Sequence, residues 1–246
     1  ETDNGETYLI KPQANSDKYQ LLQIDAAEAP DELCHLEKTP EPNIEENSNA
    51  GGQEKIAGVC DAANTCGAIV IDVLVVYTTD ARSALGGSDA AAQAAIATAV
   101  AELNTICGNS NATTTYSLVY SDVVTYTESG SSSTDLDAVE NASDGLMDEV
   151  YDWRDYYYAD IVSLVTANGG CGLGNVNTNP TEYRSHIAFS TVDDACLTGN
   201  KSLSHEIGHN MGFRHDRYAY GSTPSNVCDF AWGWVNPEGF AGGASS

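Results

Sequence analysis

Residues 205–216 read His-Glu-Ile-Gly-His-Asn-Met-Gly-Phe-Arg-His-Asp, and no other stretch of the 246-residue chain restricts its fold so tightly. His205 and His209 are four residues apart, so on an α-helix their side chains lie one turn apart on one face. Two imidazoles placed in this way can reach the same ion at about 2.0–2.1 Å. Glu206, next to His205, can reach a water held by that ion. Gly212 lets the backbone leave the helix through a positive-φ turn, and the chain can then bring His215 round as a third nitrogen ligand. The plainer reading is a helix whose histidines pack or cap. Against it, three of the chain's five His stand at ligand spacing.

Three neutral nitrogen donors leave a fourth position for water. This is the ligand set of a catalytic zinc ion, not of a structural one closed by four protein ligands. Zinc lowers the pKa of its water toward about 7. Glu206 is then the general base that takes the water's proton during attack on a peptide carbonyl, and it can afterwards hand that proton to the leaving amine.

The chain ahead of this motif divides in two. Tyr8–Pro12 and Tyr19–Ile24 are short strand-like runs around a polar turn at Asn15-Ser16-Asp17, the pattern of a hairpin. Residues 37–56 are rich in Glu, Pro, Asn, Gly and Lys and read as an exposed linker. From Ala68 the pattern becomes α/β. Ile69–Tyr77 is a β-branched run expected as a buried central strand. Ser88 can cap a helix that continues to about Ile106 and stops at Gly108. A strand over Tyr116–Tyr126, one helix from Asp135 to about Tyr156, a strand at Ile161–Val165 and another at His186–Val192 follow. A helix then begins near Lys201. Along the second helix Leu136, Val139, Leu146, Val150 and Trp153 stand near helical spacing. Tyr156-Tyr157-Tyr158 would end it and pack the core. Alternating strands and helices predict a sheet with crossover helices. The glycines of Gly169–Gly174 do not form the G-x-G-x-x-G pattern of a dinucleotide site.

His205-Glu206-x-x-His209-x-x-Gly212-x-x-His215 matches the long zinc signature of the metzincin peptidases. Asp216 and Asn210 resemble the adamalysin/reprolysin branch. Ile71–Thr78, Ala159–Val165 and Gly170–Gly174 are similar to bacterial reprolysin-like peptidases, the peptidyl-Asp metalloendopeptidase group among them. The resemblance implies an α/β (α+β) fold, with a mixed twisted sheet and an active-site helix beneath a cleft. It implies that Cys171–Val176 supplies the edge strand on which a substrate backbone adds as a β-strand. It also implies a methionine turn after the third histidine. Both methionines of the chain, Met147 and Met211, precede His215, so the C-terminus is expected to be incomplete. Residues 1–67 would be a prosegment remnant and linker, and 68–246 the catalytic domain. Related enzymes often carry a prosegment whose free Cys binds the zinc. Cys34 is the candidate latency ligand and Cys60 its rival, with an ordinary disulfide as the alternative for Cys34. Cys171 and Cys196 flank the substrate-side strands and are expected to pair, as are Cys60 and Cys66.

Seven Cys indicate an oxidising compartment, so the protein is expected to be secreted, its signal segment lying outside this sequence. Thirty-six acidic against ten basic residues give a formal charge of −26. Such a surface repels nucleic acid phosphates and anionic lipid. No apolar run is expected to reach the roughly 20 residues of a membrane span. The partners expected are protein or peptide substrates, acted on by a monomer. Asn111, Asn141 and Asn200 begin N-x-Ser/Thr sequons. His35 and His186 have no ligand spacing to the motif. The reading reached is a secreted zinc metalloendopeptidase. The alternatives are a non-catalytic zinc-binding or adhesion domain that retains the fold, and a zinc amidohydrolase of small substrates.

Overall fold

The structure is a computed structural model that describes residues 7–12, 19–24, 69–178, 184–215 and 233. Expectations resting on Cys34, Cys60 and Cys66, and on the linker over 37–56, lie outside these residues. Near the N-terminus, β1 (Thr7–Pro12) pairs antiparallel with β2 (Tyr19–Ile24), as the hairpin pattern predicts.

The main body is a five-stranded mixed sheet. Its strands are β3 (Ile69–Thr78), β4 (Thr114–Val124), β5 (Ile161–Thr166), β6 (Gly172–Gly174) and β7 (Phe189–Asp193). They lie in the order β4-β3-β5-β7-β6, all parallel except β6, which runs antiparallel to β7 at one edge. β3 shows why a continuous apolar run suits an inner strand. Val73, Val75 and Tyr77 point into one layer of core, and Leu74 and Val76 into the other. All five are fully buried, because successive side chains alternate between two covered faces.

Helices cover both faces. α1 (Thr79–Ala84) follows β3 directly and is capped by Thr78, whose Oγ1 accepts from Ala81 N at 3.0 Å. α2 (Asp89–Asn109) begins where Ser88 Oγ accepts from Ala91 N at 3.2 Å. Its Ala92, Ile96, Ala99, Val100 and Leu103 are buried in the first layer. Contrary to expectation, α2 has the length and composition of a membrane span, with 21 residues and a mean hydropathy of 1.2 over its best window. Its apolar stripe is nonetheless spent on the sheet. α5 (Ser202–Asn210) packs in the same layer through Leu203 and Ile207.

The opposite layer holds α3 (Ser132–Glu140) and α4 (Glu149–Tyr157). These replace the single helix expected from Asp135 to Tyr156. Asn141 Oδ1 accepts from Ser143 N at 3.2 Å, and Asp144 Oδ1 from Leu146 N at 2.8 Å. Side chains that bond nearby backbone in this way compete with the helix. Gly145 (φ 81) and Met147 (φ 58) complete the break. Leu146 is therefore 44% exposed, and Met147 enters the core at 3%. Of the three consecutive tyrosines only Tyr157 packs inward, stacked on Tyr120 at 4.3 Å. Tyr156 and Tyr158 are exposed, and Tyr158 ends the helix in a left-handed conformation at φ 55. The strand expected at Tyr116–Tyr126 starts and ends two residues earlier. The strand expected from His186 begins at Phe189, after a 3-10 turn over Ser185–Ile187.

Candidate metal centre

α5 carries the first two histidines of the motif and Glu206 between them. Its apolar side, Leu203 and Ile207, is anchored in the core. That fixes the rotation of the helix and hence the direction in which His205 and His209 point. The helix gives way at Met211, and Gly212 turns the chain at φ 93, as the sequence predicts. Gly212 N donates to His209 O and Phe213 N to Gly208 O, each at 2.9 Å. This turn returns His215 to the other two rings. His215 Nε2 lies 2.9 Å from His205 Nε2 and 3.2 Å from His209 Nε2.

These distances suit a metal ion. Two nitrogens bound at about 2.0–2.1 Å to a tetrahedral ion stand about 3.3 Å apart. The protonation pattern agrees. His209 Nδ1 lies 2.8 Å from Phe213 O. A carbonyl only accepts, so Nδ1 carries the proton and Nε2 keeps the lone pair a metal needs. Among the described residues His205, His209 and His215 are the group able to hold an ion, and three donors leave a coordination position free for a reactant. Burial, reinforced by the two neighbouring rings, pushes His205 down to about 4. It therefore stays neutral, the form that ligates.

Glu206 is 2% exposed. Burial pushes its carboxyl up to about 8, against a hydrogen bond from the Gly174 backbone that favours the charged form. Its Oε1 is buried and meets no protein donor. β6 lies directly on it. A Cβ on Gly172 would fall 2.5 Å from Glu206 Oε1, and one on Gly174 would fall 2.8 Å from Glu206 O. Two glycines on one face of a strand thus let backbone approach the carboxylate more closely than any other residue allows. The sequence shows these glycines, at i and i+2, but not what they touch.

The site has further supports. Cys171 and Cys196 form the expected disulfide beside β6. Asn210 is buried and donates from Nδ2 to Asn175 O and Phe189 O at 2.9 Å and to Ile187 O at 3.3 Å. Asn177 N donates to His209 O at 2.9 Å. Cys34, the candidate latency ligand, lies outside the described residues, and Cys107 at the end of α2 is a half-buried free thiol.

Known proteins resemble this chain at both levels. A solved structure described as a chaperone–substrate complex shares the fold, with a TM-score of 0.53 at 20% identity over 70% of this chain and 27% of that one. A peptidyl-Asp metalloendopeptidase of Stenotrophomonas maltophilia is 35% identical over 231 residues, 89% of this chain and 51% of that protein. The protein of the same name from Xanthomonas campestris pv. campestris is 34% identical over 236 residues, 93% of this chain and 51% of that protein. The chain thus spans about half the length of these relatives. The reprolysin-type model of metallo-peptidase family M12 matches residues 68–237, which take in the whole sheet and all three histidines. With that match added to the converging imidazoles, the chain belongs to metallo-peptidase family M12.

Proposed function

We propose that residues 68–246 form the catalytic domain of a secreted zinc endopeptidase, and that residues 1–67 are the end of its prosegment. The observation that carries this reading is the convergence of His205, His209 and His215 Nε2 atoms beside the one fully buried glutamate of α5. Zinc held by these three nitrogens would polarise a peptide carbonyl and acidify the water that attacks it. Glu206 accepts the proton at its carboxylate and delivers it to the amine nitrogen as the peptide bond breaks. β6 stands at the sheet edge, where an extended peptide can add as a further strand. Bonds at aspartate, the class in the relatives' name, are the first substrates to test.

Purified full-length protein is expected to contain one zinc per chain by metal analysis. Chelation should abolish cleavage of an Asp-containing fluorogenic peptide, and added zinc should restore it. His209→Ala should lose the ion altogether. Protein without stoichiometric zinc overturns the reading, as does cleavage that survives complete removal of the metal. Cys34 is proposed as the latency ligand. Cys34→Ala in the full precursor is expected to shorten the lag before activity, and an unchanged lag rejects that role.

A further inference from the structure

We propose that Asn210 is a positioning residue for the metal centre: it locks the last turn of α5, and with it His209, onto the two strands that border the site. The proposal rests on the reading of the histidine triad as a zinc site. Nothing in the ligand spacing requires an amide at position 210, yet Asn210 is only 6% exposed. Its Nδ2 faces three backbone carbonyls, Asn175 O and Phe189 O at 2.9 Å and Ile187 O at 3.3 Å. Carbonyls can only accept, so the group facing them must be the amide NH2 with its two protons. The carbonyls belong to two separate stretches. Asn175 directly follows β6, while Ile187 and Phe189 flank the start of β7. One side chain therefore holds helix, edge strand and inner strand in a single register.

The backbone repeats the connection. Asn177 N donates to His209 O at 2.9 Å, and Asn175 N to Phe189 O at 3.2 Å. Residues 175–177 thus grip the final turn of α5 twice, once through the Asn210 side chain and once through the carbonyl of a ligand residue. The segment is itself held from behind. Asn175 Nδ2 donates to Glu140 Oε2 at 2.6 Å, and Tyr151 Oη donates to Glu140 O at 2.5 Å. These contacts tie the metal-bearing turn through the sheet edge to α3 and α4 on the opposite face. Loss of a group that orients a ligand from behind typically costs about 10–100-fold in metal affinity.

The test uses the full-length protein and zinc itself. Asn210→Leu keeps the branched shape and removes both donors. Asn210→Ser leaves one donor and serves if the leucine variant does not fold. Val76→Ala, in the core layer on the far side of the sheet, supplies a loss of thermal stability that removes no hydrogen bond at the site. Zinc affinity is measured by competition with a chromophoric chelator, and ligand geometry by the visible absorption of the cobalt-substituted protein. The Asn210 variants are expected to bind zinc about tenfold or more weakly than the parent and to shift the cobalt bands. Val76→Ala should lower Tm and change neither reading. Parental zinc affinity and cobalt spectrum in an Asn210 variant overturn the proposal. Equal loss of affinity in Val76→Ala at matched Tm also overturns it, by showing a role in stability alone. The parent protein is its own control: if it binds no zinc, it is the reading of the triad that has failed.

Discussion

Glu206→Gln is expected to slow peptide hydrolysis by about 10²–10⁴-fold while the protein keeps one zinc per chain. Glutamine has almost the shape of glutamate, so the packing of β6 on this side chain is preserved, and its oxygen can still accept from Gly174 N–H. It cannot take up a proton. The three ligand nitrogens belong to other residues, so metal content should not fall. The experiment therefore separates proton transfer from metal binding, which His209→Ala cannot do. It also separates the peptidase from a non-catalytic zinc domain of the same fold, because only in the former does position 206 control a rate. Turnover within a few fold of the parent, with zinc at full occupancy, would remove Glu206 from the reaction. Loss of zinc would show instead that the carboxylate supports the ligands.

The convergence of the three histidines was legible in the sequence because local backbone geometry decides it. Spacing of four sets His205 and His209 on one face, and Gly212 permits the turn that returns His215. β3 was legible for a similar reason, since its β-branched run suits a strand that is covered on both faces from Val73 onward. The break between α3 and α4 was not. Helical periodicity survives on either side of it, and the deciding forces are two local side-chain bonds from Asn141 and Asp144. The exposure of Tyr156 and Tyr158 was hidden because composition does not say where a helix stops short of the core. The contact between β6 and Glu206 joins residues more than thirty positions apart, so no local pattern encodes it. Asn210 lay inside the motif in plain view, but its three partners come from elsewhere in the chain.

Gly172→Ala is expected to cost about 10²-fold in turnover with zinc retained, the scale associated with displacing a reacting group by about 1 Å. The new methyl carbon would lie 2.5 Å from Glu206 Oε1, 2.8 Å from Cγ and 2.9 Å from Cδ, so either the strand or the carboxylate must move. The strand is the less free of the two. β6 is paired with β7 through Gly172–Val192, Leu173–Thr191 and Gly174–Ser190, and the Cys171–Cys196 disulfide ties its entry. Only the last bonds of Glu206 can rotate without breaking these pairings, and that rotation takes the carboxylate away from the reacting water. Gly174→Ala should behave differently. Its methyl would meet the backbone oxygen of Glu206 at 2.8 Å, and a helix backbone cannot swing aside. Overpacking of this kind costs about 1–3 kcal/mol, so Tm and turnover should fall together. Thermal unfolding, zinc content and steady-state kinetics on the two variants distinguish a displaced base from a lifted strand. If Gly172→Ala hydrolyses peptide at the parental rate, β6 yields more easily than its partners suggest, and the close contact between strand and carboxylate is not what aims Glu206.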